Sequence, residues 1–396
     1  MRLSSSIGRF AAVKIALAGM MAAMLVACGA PGAGGGGPGG ASFTESTGAV
    51  KVALLLPVTS SGSTPAVAKA LKQAAELALF DFDNPNVSLV PKDTKGTPDG
   101  ARLAAESAIK DGAELIIGPL FAQEVAGAAP VARQAGIPMI AFSSDEKVAG
   151  NGVYLLSFQA GRDVPRIVSF AMSKGKRSFA QLVPQSPYGR VAESAFAKAV
   201  SGGGGETSVR AAFPTDDSNA MLGPVRQIAN AIKGGQKVDA LFLPAGREEL
   251  PSLAPLLASS DLTSGRVQFV GTGQWDYPNI GGEKALVGGW YPAPDPKGWS
   301  NFVQGYSKTY GSVPPRLASL AYDAVSLAVS LSQNPPGQRY DMGQLTRASG
   351  FAGIDGLFRL LPDGTCERGL AILEVREGGP VVIDPAPSSF ATASSY

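Results

Sequence analysis

None of the serines and neither of the two cysteines has a histidine to activate it, because the chain contains none. That removes Ser-His-Asp and Cys-His nucleophilic catalysis, histidine metal sites and the commonest general base. The run Asp216-Asp217-Ser218-Asn219 offers oxygen ligands but lacks the spacing of a calcium loop, and reads as a turn with a helix cap. The glycine-rich stretch from Gly34 to Gly40 has no Lys-Ser/Thr after it, so it is not a phosphate-binding loop. Chemistry through carboxylates or lysine alone stays open. The expectation these residues leave is a non-enzymatic chain with no cofactor and no metal.

Those side chains need a scaffold, and the apolar pattern describes one. Val52 to Leu56 is a continuous apolar run, as expected of a parallel strand covered on both faces. Ser63-Thr64-Pro65 then suits a helix start, followed by Val67, Leu71, Ala74 and Ala78 at helical spacing. Strand and helix alternate onward through Glu114–Ile117, Gln123–Gln134, Pro138–Phe142, Tyr154–Phe158, Val164–Ser173 and Phe179–Val183. The alternation continues to Val267–Val270, which predicts parallel sheets with helices on both faces. One sheet of so many strands would be unusual, so the expectation is two doubly wound lobes. Ligands of such sheets sit beyond the carboxyl ends of the strands, which points to the loops after Leu56, Ile117, Phe142, Val183, Leu243 and Val270.

Several of these segments are similar to a known family. Gly118-Pro119-Leu120, Ala129-Pro130-Val131-Ala132 and Ala135-Gly136-Ile137-Pro138-Met139-Ile140 resemble the type I periplasmic binding proteins, above all the leucine/isoleucine/valine-binding branch. So do Ser186-Pro187-Tyr188-Gly189-Arg190, Leu320-Ala321-Tyr322-Asp323-Ala324-Val325 and Phe351-Ala352-Gly353-Ile354-Asp355-Gly356, followed by Asp363-Gly364. The resemblance runs from about Lys51 to Gly378. It implies an α/β fold of two lobes joined by three crossover strands and closing on a ligand. Lobe 1 would be 49–158 and 290–345, and lobe 2 would be 159–289 and 346–385.

The ligand-binding candidates are Ser60 and Ser61 after the first strand, with Gln123, Ser143, Ser144, Tyr188, Arg247 and Gln274. The resemblance implies that hydroxyl and backbone groups of the Ser143-Ser144-Asp145 loop meet an amino acid. Asp145 falls about where the family has a threonine, and a carboxylate there would repel a ligand carboxylate unless its charge is paired. Trp275, Tyr277, Trp290 and Tyr291 are expected to pack hinge and lobe interface, with stacking on a ligand as the other reading.

The beginning of the chain reads as an export signal. Arg2, Arg9 and Lys14 precede an uncharged apolar stretch from Ile15 to Ala27, too short to span a membrane. Leu25-Val26-Ala27-Cys28 resembles the lipobox of bacterial lipoproteins, which implies lipidation of Cys28, and Gly29 after it implies the outer membrane. Residues 1–27 would be the signal, 28–48 a flexible Gly/Pro-rich linker, 49–385 the two-lobed domain, and 386–396 a disordered tail. With three basic and no acidic residues before Cys28, the mature chain carries a formal charge of −1, which gives no electrostatic reason to expect nucleic acid. Cys366 would then be the one free thiol, expected as a small buried hydrophobe.

The partners this implies are a small ligand in the cleft, an inner-membrane ABC permease, and a membrane touched only through the lipid anchor. An alternative resemblance is to the binding-protein-like domain of penicillin-binding protein activator lipoproteins, which implies a peptidoglycan synthase as the partner. It is carried by Val52-Ala53-Leu54-Leu55-Leu56-Pro57 and Gly118-Pro119-Leu120-Phe121.

Overall fold

The computed structural model describes residues 48–83 and 85–390; the expected export signal, Cys28 and nearly all of the expected linker lie outside the described residues. The first sheet is built from Val50–Leu56 (β1), Val87–Asp93 (β2), Leu115–Ile117 (β3), Met139–Ala141 (β4) and Val153–Leu155 (β5). Its order is β2-β1-β3-β4-β5, all parallel. Helices Thr64–Phe80 (α1), Pro98–Lys110 (α2) and Ala122–Gln134 (α3) connect these strands.

The side chains of β1 alternate between two cores, as a strand buried on both faces must. Val52, Leu54 and Leu56 join the core beneath α1, while Ala53 and Leu55 join the core beneath α2 and α3. Leu115 and Ile117 repeat the first choice and Ile116 the second. The turn after β3 depends on Gly118, at φ +92°, where a Cβ would stand 2.2 Å from the carbonyl oxygen of Leu55. Only glycine fits so close to the neighbouring strand.

The second lobe contains Val164–Ser173 (α4), Ser178–Pro184 (β6), Pro187–Gly202 (α5), Glu206–Phe213 (β7), Leu222–Lys233 (α6), Ala240–Phe242 (β8), Leu250–Ser259 (α7), Gln268–Val270 (β9) and Trp290–Ala293 (β10). The chain then returns to the first lobe with Pro296–Tyr310 (α8), Ala318–Leu331 (α9) and a small antiparallel sheet of Phe351–Gly353 (β11), Gly356–Leu360 (β12) and Cys366–Arg368 (β13). Ala371–Glu374 (β14) and Val381–Asp384 (β15) finish the second sheet, ordered β15-β14-β10-β9-β8-β6-β7. The two lobes are thus linked by three connections, around residues 156–163, 294–295 and 369–370.

Two boundaries differ from the sequence expectation. The second lobe keeps β10, because Trp290 pairs with Val270 and the strand also pairs with β14, so the return to lobe 1 follows Ala293 and not residue 289. Phe351, Phe358, Leu360 and Cys366 share the core of β1, α1 and α9, so 346–368 belongs with lobe 1 and not lobe 2. At the carboxyl end, residues 386–390 are anchored where a frayed tail was expected. Phe390 is 2% exposed, and the guanidinium of Arg359 lies 4.5 Å over its ring. One aromatic residue in a small, polar segment is enough to seat it.

Trp275 and Tyr291 are fully buried in the second lobe's core, and the Trp275 indole N–H donates to the Leu243 carbonyl at 3.1 Å. These two rings of the aromatic cluster pack the lobe; they do not face a ligand. Among the described residues, no helix is long and apolar enough to cross a membrane.

Candidate functional site

A cavity of about 380 Å³ opens between the lobes, within the range of small-molecule sites. Its wall comes from three sources. Ser144 follows β4; Tyr188, Gly273 and Gln274 follow β6 and β9; and Ser157, Phe158 and Gln159 of the first connection join Cys366 and Arg368 of β13. The first two groups sit beyond strand carboxyl ends, as doubly wound sheets require.

Tyr188 is positioned by the start of α5. The Ser186 side chain accepts from the Gly189 N–H at 3.0 Å, and Pro187 occupies the first turn. Gly189 is needed because a Cβ there would stand 1.9 Å from the Pro184 carbonyl oxygen. The Tyr188 hydroxyl donates to Thr272 Oγ1 at 2.7 Å, so the β6 and β9 loops are tied together at the cavity. Burial pushes the Tyr188 phenol upward, and the Asp163 carboxylate adds to that. Asp163 itself lines the cavity and accepts from the Gly273 N–H at 2.6 Å; burial raises its carboxyl.

An ionic group forms part of this wall and extends behind it. Arg316 pairs with Asp355, whose other oxygen accepts from Ser319 Oγ at 2.6 Å. The Arg316 guanidinium lies 4.5 Å over Trp299 and 5.4 Å over Phe158. Asp323, on α9, accepts from the Ile354 N–H at 2.6 Å and stands 3.9 Å from Arg368. Gly353 makes room for it, since a Cβ there would be 2.5 Å from the carboxylate. Burial pushes Asp323 up to about 7; Arg368 opposes the rise and Asp355 reinforces it. Cys366 is buried, and the same desolvation lifts its thiol to about 11.

Of the residues expected from sequence, Ser144, Tyr188 and Gln274 line the cavity. Ser60, Ser61, Gln123, Ser143 and Arg247 are not part of its wall. Ser60 is turned back to donate to the Pro57 carbonyl at 2.9 Å, and Gln123 donates to the Gly96 carbonyl at 3.1 Å. Ser143 Oγ is occupied by the Asp145 N–H at 3.1 Å, while Ser61 and Arg247 are exposed. Cys28 lies outside the described residues. Ser157, Gln159, Arg316 and Arg368 were missed. Ser157 and Gln159 are polar residues of a segment linking the lobes, and Arg316 and Arg368 belong to the part of lobe 1 built after the chain returns; a sheet-end rule looks at neither.

Among the described residues, no group of His, Cys, Asp and Glu could hold a metal ion. The wall offers hydrogen-bond donors, rings and charges, which suit reversible binding.

A family model for periplasmic binding proteins matches residues 49–380. The chain belongs to the periplasmic binding protein family. This bears out the resemblance read from the motifs, and relatives of the leucine/isoleucine/valine-binding branch agree. Leu/Ile/Val-binding protein homolog 6 of Brucella melitensis is 26% identical over 193 residues, 46% of this chain and 47% of the relative. The matched region thus spans about half the length of that curated protein.

Solved structures with the same fold include a putative branched-chain amino acid ABC transporter from Rhodospirillum rubrum. It has a TM-score of 0.74 at 20% identity, covering 85% of this chain and 100% of that one. An ABC transporter substrate-binding protein from Sphaerobacter thermophilus has a TM-score of 0.64 at 20% identity, covering 86% and 98%. At these identities the structures speak for the fold of this binding protein, and the cavity speaks for its site.

Proposed function

We propose that this chain is a non-enzymatic, lipid-anchored solute-binding protein of the periplasm, which closes its lobes on a small amino-acid-like ligand for import by an ABC permease. The observation that carries the reading is the interlobe cavity of about 380 Å³, bounded by side chains of both lobes and of the connections between them. A hinge motion that brings Ser144 toward Tyr188 and Gln274 would bury a ligand's polar groups against paired donors and acceptors. The closed state is favoured only as far as the ligand binds it better than the open one. The name of the Brucella relative supports an amino-acid-like ligand. The uncharged run ending at Cys28 supports the anchor, and Gly29 after it supports the outer membrane. No relative or structure named above is a regulator of peptidoglycan synthesis, and that alternative is left aside.

The test is a thermal-unfolding screen of the purified protein against amino acids, aromatic acids, peptides and sugars. A saturable rise in the midpoint identifies the ligand, because a solute that binds only the native state stabilises it by mass action. Absence of any rise at millimolar concentrations would reject solute capture as the role.

A further inference from the structure

We propose that Ser157, Gln159 and Arg368 form a receptor for a ligand carboxylate on the hinge wall of the cavity, separate from the serine loop after β4. The proposal rests on the solute-binding reading and names the chemical class of the ligand.

Three residues that carry unpaired donors line this one space. Ser157 is 4% exposed and Gln159 7%, and the side chain of Arg368 is 6% exposed. All three line the cavity. Ser157 Oγ, Gln159 Nε2 and the Nε, Nη1 and Nη2 of Arg368 are buried, and no protein group among the described residues accepts from any of them. A buried donor without an acceptor costs free energy, and a guanidinium costs more than an amide or hydroxyl. One acceptor that meets all three would relieve them together.

The positions of the donors are fixed by the fold. Gln159 Oε1 accepts from the Cys366 N–H at 3.0 Å, which turns the amide's oxygen to β13 and leaves its NH₂ free. Arg368 lies two residues further along the same strand. The guanidinium carbon is 4.7 Å from the ring centroid of Phe158 and 5.7 Å from that of Phe358. The two rings restrict the planar fork, whose N–H groups stay without an acceptor. A flat group with two oxygens matches that edge in a bidentate way, which favours a carboxylate over a tetrahedral anion. Asp323 stands 3.9 Å from Arg368, beyond hydrogen-bond reach, so the N–H groups are not saturated.

The probe is acetate, with acetamide and chloride as controls, read by thermal unfolding of the purified protein. Acetate is expected to raise the midpoint saturably, with neither control doing so at the same concentration. In R368Q the acetate response should vanish. S157A removes a hydroxyl that has no protein partner, so its midpoint without acetate should match the wild type while its acetate affinity falls about 10-fold. Equal responses to acetate and acetamide overturn the proposal, and so does an acetate response retained in R368Q. If R368Q does not fold, S157A decides: an unchanged acetate affinity overturns the receptor.

Calorimetry with L-leucine against L-leucinamide, and benzoate against benzamide, then separates the two readings. An amide that binds as tightly as its acid removes the carboxylate receptor and leaves solute capture standing. Silence from acetate and from every member of both pairs removes the receptor, and a saturable rise with another solute of the screen keeps solute capture standing.

Discussion

Two buried side chains make the residue-scale chemistry measurable. Asp323 keeps its proton in the native protein up to about pH 7, whereas the unfolded carboxyl gives it up near the ordinary value of 3.8. Between those values the native state binds more protons than the unfolded chain. The contribution is therefore full below 3.8 and is lost as the pH rises through about 7. Facing groups are Arg368, Arg316 and Asp355, and the Ile354 N–H. D323N should remove this dependence, so wild-type stability measured by urea unfolding should decline relative to the variant across that window. Parallel pH profiles would refute the assignment. Cys366, with its thiol at about 11, should resist thiol reagents at neutral pH until the protein unfolds, as peptide mapping after labelling can show. Its burial was legible in the sequence, where an isolated cysteine reads as a small hydrophobe. The ionisation of Asp323 was not, because its cause is a neighbourhood assembled from α9, β11 and β13.

At the scale of elements, the start of α5 sets the position of Tyr188. S186A should cost about 1 kcal/mol through loss of the cap to Gly189. G189A should cost about 2 kcal/mol, because the added Cβ meets the Pro184 carbonyl at 1.9 Å. Denaturant unfolding checks both, and a G189A variant as stable as the wild type would contradict the packing described. These elements were readable from the chain alone. Ser186-Pro187 marks the helix start, and the apolar run of β1 marks a doubly covered strand. The alternation of Val52, Leu54 and Leu56 with Ala53 and Leu55 shows why that run had to be continuous. The cavity was readable only in part. Tyr188 and Gln274 follow strands and obey the sheet-end rule, but Gln159 and the Cys366 it holds are 207 positions apart. No local pattern links residues at that separation; only the return of the chain through a second lobe does so.

At the scale of the whole molecule, anchoring and hinge motion are separate predictions. The mature protein should carry a lipid mass on Cys28 that C28S lacks, without a change in ligand-induced thermal shifts, and an unmodified Cys28 by mass spectrometry would argue against lipidation. A ligand found in the screen should reduce the radius of gyration measured by small-angle scattering; an unchanged radius would rule out closure. One bond described above bears on both behaviours. The first connection is riveted to β13, which leads into the third, by Gln159 and Cys366, and the same two segments carry cavity side chains. Any torque that shears one connection past the other therefore acts on the cavity wall directly. A membrane machine that grips the outer faces of the lobes and twists them would loosen its cargo from afar, using the hinge as a lever.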